Sequence, residues 1–153
     1  MSRGPNVLPI ICILCSVSAV ADAQVFRLPA TSGPALLHQC SRSTPKDVSS
    51  FWVASPADIA KLEALLVPFL RASLDPRSLL APDPLARFHR QYIGFIRNGK
   101  RYIYGNFYPH RSAPDLEEAT SPVNFCDGGD SFWGVVFSPD TEQFEDLRFN
   151  GIG

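Results

Sequence analysis

The chain is 153 residues long, 45% of its residues are hydrophobic, and its formal net charge is −1. This composition is typical of a globular protein and excludes a disordered or low-complexity chain. The near-neutral total charge also argues against nucleic-acid binding, which normally uses an uncompensated basic surface.

The first 23 residues have the features of a secretory signal peptide. Arg3 precedes an uncharged apolar run from Val7 to Val20, and small residues occupy positions 21 and 23. The run is about 14 residues long, whereas a membrane-spanning helix needs roughly 20, so a retained membrane anchor is the weaker alternative. We therefore expect cleavage after Ala23 and a periplasmic or extracellular (secreted) protein, without a membrane span after cleavage.

Signal cleavage would also decide the cysteine chemistry. It would remove Cys12 and Cys15 and leave Cys40 and Cys126, an even pair in a chain sent to an oxidising compartment. We therefore predict a disulfide between Cys40 and Cys126, which the chain-entropy model credits with on the order of 4 kcal/mol of stability. The alternative is two free thiols, one of them a catalytic Cys126.

Charge is distributed unevenly along the chain. Residues 71–111 contain eight basic and two acidic residues, whereas residues 112–153 contain nine acidic residues and one basic residue. We expect these two segments to lie side by side and to neutralise each other. On opposite faces they would instead make the domain dipolar, and one face could steer a charged partner.

Residues 24–49 are rich in Ser, Thr, Pro and Gly, which predicts an irregular N-terminal segment pinned by Cys40. Residues 50–153 are predicted to form a single α+β domain. It starts with a short strand at residues 50–54, "SFWVA", which leads directly into the clearest helix of the chain.

That helix is predicted to begin at Ser55. Ser55 is a good N-cap residue, Pro56 suits the first helical position, and Asp58 has the place of the carboxylate in a capping box. Pro68 predicts a kink or an end of the helix near that position. Apolar residues recur at helical spacing and predict one buried face, formed by Ile59, Leu62, Leu66, Phe69 and Leu70.

A proline-rich stretch at residues 74–86 predicts a long connection, and a hairpin is predicted to follow at residues 88–109. This region is rich in aromatic and β-branched residues on both sides of Asn98-Gly99, a pair suited to the positive φ angles of a tight turn. Both faces of the hairpin are apolar in the two-residue register, so we expect a sheet that is covered on both sides. Gly94 and Gly105 predict bulges or the close approach of another element.

Three more strands are predicted near the C-terminus, at "VNFCDG", "SFWGVVFS" and "FEDLRFN", residues 123–128, 131–138 and 144–150. Phe132 and Trp133 must lie on opposite faces of their strand, so one of them packs toward the helix and the other needs a cover. Asp127 and Asp130 flank Gly128-Gly129 without the third acidic residue of a calcium loop, and we interpret them as turn residues.

No local motif predicts catalysis or metal binding. The sequence has neither a Gly-x-Ser-x-Gly elbow nor a glycine-rich loop that leads into a helix, and His38, His89 and His110 lack the spacing of a zinc motif. We therefore predict no catalytic residue, no metal site and no cofactor. The alternative is a small exported hydrolase-like enzyme that uses a His or a carboxylate in residues 89–130.

Basic and aromatic residues alternate in the predicted hairpin, and Arg, Tyr and Trp are common interface anchors. The expected partner is a protein or an anionic envelope polymer rather than nucleic acid. The candidate interface residues are Arg97, Arg101, Tyr102, Tyr104 and Trp133.

The order of these elements predicts an α+β fold with one main helix packed on an antiparallel β-meander. This order resembles the arrangement in cystatin-like domains, in which a sheet wraps one long helix. A cone-shaped, NTF2-like ligand-pocket fold with more helices is the alternative. The features together favour an exported, non-catalytic binding protein, such as an inhibitor or immunity factor that acts on a cell-envelope enzyme.

Overall fold

A computed structural model describes Met1, residues 23–75, residue 77, residues 84–110 and residues 120–153. Within these ranges the chain has an α+β fold with a mixed sheet of six strands and few helices. The proline-rich connection predicted at residues 74–86 lies in part outside the described residues.

The sheet is built around a central hairpin. Strands β3 to β6 pair with one another in chain order, and every one of these pairs is antiparallel. The remaining edge of β3 is shared by two strands, since β1 pairs in parallel with residues 90–92 and β2 pairs antiparallel with residues 94–97. Strands β3 to β6 thus form an antiparallel meander, as predicted, and the parallel strand β1 makes the complete sheet mixed. The six strands are β1 (Val25–Arg27), β2 (Val48–Trp52), β3 (Phe88–Arg97), β4 (Lys100–Pro109), β5 (Trp133–Ser138) and β6 (Gln143–Phe149).

The main helix starts where the sequence predicts. Helices α1, α2 and α3 span Gly33–Leu36, Pro56–Ser73 and Pro84–Arg87. At the start of α2, the Ser55 hydroxyl accepts a hydrogen bond from the Asp58 N–H at 3.1 Å and donates one to the Asp58 carboxylate at 2.7 Å. The helix continues past Pro68 to Ser73, so Pro68 does not end it. Because Leu70 remains buried, its packing outweighs the missing N–H of Pro68.

The hairpin prediction is confirmed in its register. Arg97 pairs with Lys100 across a two-residue turn, in which Asn98 and Gly99 have φ angles of 52° and 72°. The close approach predicted at Gly94 is also present. A Cβ atom at that position would lie 2.3 Å from the ring of Trp52, so only glycine lets β2 place this ring against β3.

Residues 24–49 contain more regular structure than predicted. Strand β1 joins the sheet, a 3-10 turn covers Ala30–Ser32, and α1 follows directly. Leu28 and Leu36 from this segment are fully buried. The segment is therefore part of the folded domain and not an irregular chain held only by Cys40.

The stretch "VNFCDG" contains no strand, so that prediction was wrong. Backbone groups of this stretch form hydrogen bonds with side chains of the sheet and of Asn150, where a strand would have bonded to the backbone of its neighbour. The Val123 N–H donates to the Gln91 side chain at 2.9 Å, and the Val123 carbonyl accepts from the Asn106 side chain at 2.9 Å. The Phe125 carbonyl accepts from the Asn150 side chain at 2.6 Å.

The two faces of the sheet are both covered, as predicted. The face that packs against α2 is called the helix face. The opposite face is called the cover face, because residues 28–44 and 121–127 cover it. The buried helix-face core consists of Ala54, Ile59, Leu62, Leu66, Leu70, Phe88, Tyr92, Ile103, Phe107, Trp133, Val135 and Phe137. The buried cover-face core consists of Leu28, Leu36, Ile93, Phe95, Tyr104 and Val136.

Candidate partner-binding surface

The structure places the five predicted interface residues in three environments. Arg97 and Tyr102 lie near the hairpin turn on the cover face, whereas Arg101 lies on the helix face. Tyr104 and Trp133 are 1% and 0% exposed and belong to cores on opposite faces. Neither of these two rings reaches the surface, so Arg97 and Tyr102 remain as neighbours on the cover face and Arg101 lies apart from them on the helix face.

Contacts on several sides hold the Arg97 side chain in place. Its guanidinium carbon lies 4.6 Å from the centre of the Tyr102 ring, within range of a cation–π interaction. The same guanidinium donates to the Glu145 carboxylate at 3.0 Å and lies 3.7 Å from the Asp146 carboxylate. Burial lowers the pKa of Arg97, but hydrogen bonds with Tyr102 and Glu145 and their charges raise it overall. With 19% of its side chain exposed, Arg97 is fixed yet accessible.

Arg97 forms part of the wall of an open pocket of about 240 Å³. We call it the hairpin-tip pocket. Three cations line it, Lys46, Arg97 and Arg148. They face the Asp146 carboxylate of the lining and the Glu145 carboxylate that pairs with Arg97, which leaves an excess of one positive charge. This excess of positive charge, with two hydroxyl groups beside it, suits a ligand that carries carboxylates. The complete lining is Ser43, Thr44, Pro45, Lys46, Arg97, Asp146 and Arg148.

Arg101 is neutralised on the other side of the sheet. Its guanidinium donates to the Asp140 carboxylate at 2.5 Å and lies 5.5 Å from the centre of the Trp52 ring. The hydrogen bond from Arg101 is the main cause that holds the pKa of Asp140 below its usual value. Both side chains are about half exposed, so this ion pair contributes little stability.

Several basic and acidic side chains that are distant in the sequence form ion pairs. Arg97 pairs with Glu145, Arg101 with Asp140, and Lys61 of α2 with Glu142. Arg97 and Arg101 of the basic segment 71–111 therefore contact Glu145 and Asp140 of the acidic segment 112–153, in the direction that the charge distribution predicts. The hairpin-tip pocket is a place where this neutralisation is incomplete.

A buried polar network explains why Tyr104 is inaccessible. The Arg42 side chain is nearly buried and donates to the Tyr104 hydroxyl at 3.0 Å, to the Asn150 side chain at 2.6 Å and to the Asn106 side chain. Burial raises the pKa of Tyr104, and the nearby Arg42 charge partly opposes that rise. Gln91 extends the network, since its carbonyl oxygen accepts from Asn106 at 3.1 Å. This network was not predicted, because Arg42 lies in a segment predicted to be irregular.

Cys40 and Cys126 form the predicted disulfide, with their Cα atoms 5.0 Å apart. This bond ties the two covering segments together, and neither Cys40 nor Cys126 keeps a free thiol. Phe132 packs against Phe125, with ring centres 4.4 Å apart, and Phe125 itself is half exposed. Trp133 faces the helix, so the cover that Phe132 needs comes from this chain.

Two of the three histidines are in contact, which their sequence spacing did not predict. The β3–β4 pairing brings His89 beside His110, with His89 Nε2 and His110 Nδ1 3.0 Å apart. The Gln24 N–H donates to His89 Nδ1 at 2.9 Å, so the neutral His89 ring carries its proton on Nε2. His38 is exposed elsewhere on the chain.

A second buried polar group lies on the helix face. The Tyr92 hydroxyl donates to the Glu63 carboxylate at 3.0 Å, and Arg90 forms an ion pair with the same oxygen at 3.1 Å. Burial, together with the Glu63 charge, raises the pKa of Tyr92 well above its ordinary value. These partners satisfy each other and fix α2 against β3. The sequence signal for this group is Arg90, a cation that lies on the same face of β3 as the buried residues Phe88 and Tyr92 and therefore needs a partner.

The described residues contain no group of three or more His, Cys, Asp or Glu side chains arranged to hold a metal ion. None of the described helices combines the length and apolar character needed to cross a membrane. The chain matches no protein-family model, no curated protein and no solved structure. The surfaces described above are therefore the basis for a functional hypothesis.

Proposed function

We propose that this chain is an exported, non-catalytic binding protein that recognises a protein partner through the hairpin-tip pocket. An inhibitor or immunity factor that acts on a cell-envelope enzyme is the class we favour. The observation that carries the proposal is the fixed Arg97 guanidinium, which is stacked on Tyr102 in a pocket with surplus positive charge.

Pre-organisation is the reason that Arg97 suits recognition. A free arginine loses side-chain entropy when it binds, whereas Arg97 is already ordered by Tyr102 and Glu145. A partner carboxylate that enters the pocket would meet a guanidinium in a defined orientation, with Lys46 and Arg148 close to it. We therefore propose a partner that inserts one or more Asp or Glu side chains.

Export is part of the same proposal. The disulfide supports it, since such bonds persist in oxidising compartments. The position of the first strand supports it as well, because β1 starts at Val25, directly after the expected cleavage site at Ala23. We also propose that the element order is cystatin-like, with α2 as the long helix that the sheet wraps.

The test is affinity capture from an envelope and secreted extract of the source organism, with the exported protein as bait. We expect one stoichiometric protein partner. Arg97→Ala should weaken its binding by roughly 30-fold or more, the effect of truncating an interface anchor. Arg97→Lys keeps the charge but loses the planar stacking, and should give an intermediate loss.

The matched control is Arg27→Ala, which removes an exposed arginine of β1 that does not line the hairpin-tip pocket. It should bind the partner as the wild-type protein does. If Arg97→Ala folds normally and retains full binding, the hairpin-tip pocket is not the recognition surface. Capture of an anionic polymer and no protein would contradict the proposal of a protein partner.

The contact between His89 and His110 lies within residues 89–130, where the alternative function, a small hydrolase-like enzyme, would have its site. Both ring nitrogens of His89 are engaged, one by the Gln24 N–H and one by His110. A general base must have a nitrogen available to a substrate, so this arrangement favours binding over hydrolysis. Ester or peptide hydrolysis that disappears in His110→Gln would reverse this preference.

A further inference from the structure

We infer that Gln24 becomes the N-terminal residue of the exported chain and is converted there to pyroglutamate, with His89 as the base. This inference rests on the export that we propose above. It assigns a modification site to a group of residues that the partner-binding pocket does not use.

The first observation is the position of the Gln24 nitrogen. Its N–H donates to His89 Nδ1 at 2.9 Å, while the Gln24 carbonyl accepts from the Arg90 N–H at 2.9 Å. The backbone of Gln24 is thus docked on β3 next to strand β1. Cleavage after Ala23 would turn this same nitrogen into the α-amino group without moving it from His89.

The second observation is the surrounding charge. The Arg90 guanidinium donates to the Ala23 carbonyl at 3.3 Å, so cleavage brings the new α-amino group close to a buried cation. The Glu63 carboxylate, 3.1 Å from the same guanidinium, compensates part of this charge, so the like-charge effect that disfavours the ammonium form is small. The neutral amine is the nucleophile that attacks a carbonyl carbon.

The third observation is the state of His89. It is 3% exposed, its Nδ1 faces the Gln24 nitrogen, and its Nε2 proton is directed at His110 Nδ1 at 3.0 Å. Nδ1 is therefore a base that touches the reacting atom. His110 orients the ring and stabilises the imidazolium that forms when Nδ1 takes a proton.

The reaction balances without any other reagent. The Gln24 α-nitrogen forms a bond to its own side-chain carbonyl carbon, Cδ, and the bond from Cδ to the side-chain amide nitrogen breaks. His89 takes a proton from the α-nitrogen and returns it to the leaving group, which departs as ammonia. The Gln24 side chain is exposed, so it is able to fold back and ammonia is able to leave.

The product fits the site better than the free amine does. A protonated amine would present three N–H groups and a positive charge beside Arg90. The lactam of pyroglutamate is neutral and retains a single N–H.

The first test is an intact mass and N-terminal sequencing of the exported protein. We expect a chain that starts at residue 24, is lighter by one ammonia, and is sequenced only after treatment with pyroglutamyl aminopeptidase. A chain that starts at another residue would contradict the proposed cleavage site. A chain that starts at Gln24 with a free amine would leave export intact and overturn the modification.

The second test measures the rate. A fusion is cleaved directly before Gln24 to give the oxidised chain 24–153, and ammonia loss is followed by mass. Cyclisation should be on the order of a hundredfold faster in the folded chain than in the same chain in denaturant, as a positioned base predicts. His89→Gln should lose that gain, whereas the control His38→Gln should keep it. Equal rates for the folded and denatured wild-type chain would overturn the role of His89.

Discussion

The two faces of the sheet are held by different interactions. On the helix face, a large apolar core packs against one regular helix, α2. On the cover face, the buried apolar core is smaller, and the covering segments are held by the Arg42 network and by the Cys40–Cys126 disulfide. Apolar burial is non-directional, whereas a hydrogen-bonded network and a covalent bond fix particular atoms.

This difference bears on the candidate binding surface. Ser43, Thr44 and Lys46 of the hairpin-tip pocket follow Arg42 directly in the chain. The Arg42 network and the disulfide at Cys40 therefore help to fix their position. A surface built in this way keeps a defined shape with few apolar residues, which suits a pocket that presents charge to a partner.

Removal of the disulfide should have the largest effect on this comparison. The double variant Cys40→Ser with Cys126→Ser should lose about 4 kcal/mol of unfolding free energy, because the bond closes a loop with a sequence separation of 86 residues. Urea unfolding of the exported protein measures the change. An unfolding free energy equal to that of the wild type would show that the covering segments hold together without the bond.

The next largest effect is expected from cavities made in the two cores. Leu66→Ala in α2 should cost about 3 kcal/mol, and Leu36→Ala in α1 about 2 kcal/mol, although both side chains are fully buried. The short helix α1 has more freedom to collapse into the space than α2 has. Denaturant unfolding of both variants tests this. A larger loss of unfolding free energy for Leu36→Ala than for Leu66→Ala would show that the cover face is the more rigid one.

Arg42→Met should cost about 2 kcal/mol, since it leaves the buried Asn106 and Asn150 oxygens without their donor but removes a buried charge. Combined with Leu66→Ala, on the opposite face, its effect should be additive within about 0.5 kcal/mol. Arg27→Met is the control on an exposed arginine and should be close to neutral. A strong coupling energy would mean that the two faces are not independent.

The smallest expected effect concerns the two buried tyrosines. Both have raised pKa values, but Tyr92 faces the Glu63 carboxylate and Tyr104 faces the Arg42 guanidinium. A raised folded pKa adds stability that is complete below the unfolded value of about 10 and is lost as pH rises through the folded value. Phenolate absorbance during alkaline titration of Tyr92→Phe and Tyr104→Phe should therefore show Tyr104 ionising first. The opposite order would contradict the environments described here.

The elements that depend on local signals could be predicted from the sequence. The Ser55 cap, the apolar stripe of α2 and the Asn98-Gly99 turn each follow from residues within a few positions of one another. Strand β1 could not be predicted, because a three-residue strand carries little pattern and its partner lies more than sixty residues away.

The polar parts of the candidate sites were also out of reach. From the sequence, Arg42 looks like a solvated loop residue, and only the fold places it against Tyr104. Likewise, the sequence of residues 123–127 is typical of a strand, but side chains of Gln91, Asn106 and Asn150 bond to its backbone instead. Tyr104 and Trp133 were expected at an interface for their residue type, yet alternation along a sheet covered on both sides buries both rings.

The most direct test of the difference between the two faces is native-state hydrogen exchange with and without the disulfide. In the double serine variant, we expect the Gly151 amide, which bonds to Ser41 of the covering segment, to lose protection. Amides in the middle of α2, at Leu66 and Leu70, should also lose protection, but by no more than the loss in the global free energy of unfolding. If the Gly151 amide and the α2 amides lost the same protection, through openings that cost less than global unfolding, the two faces would not be held by different interactions.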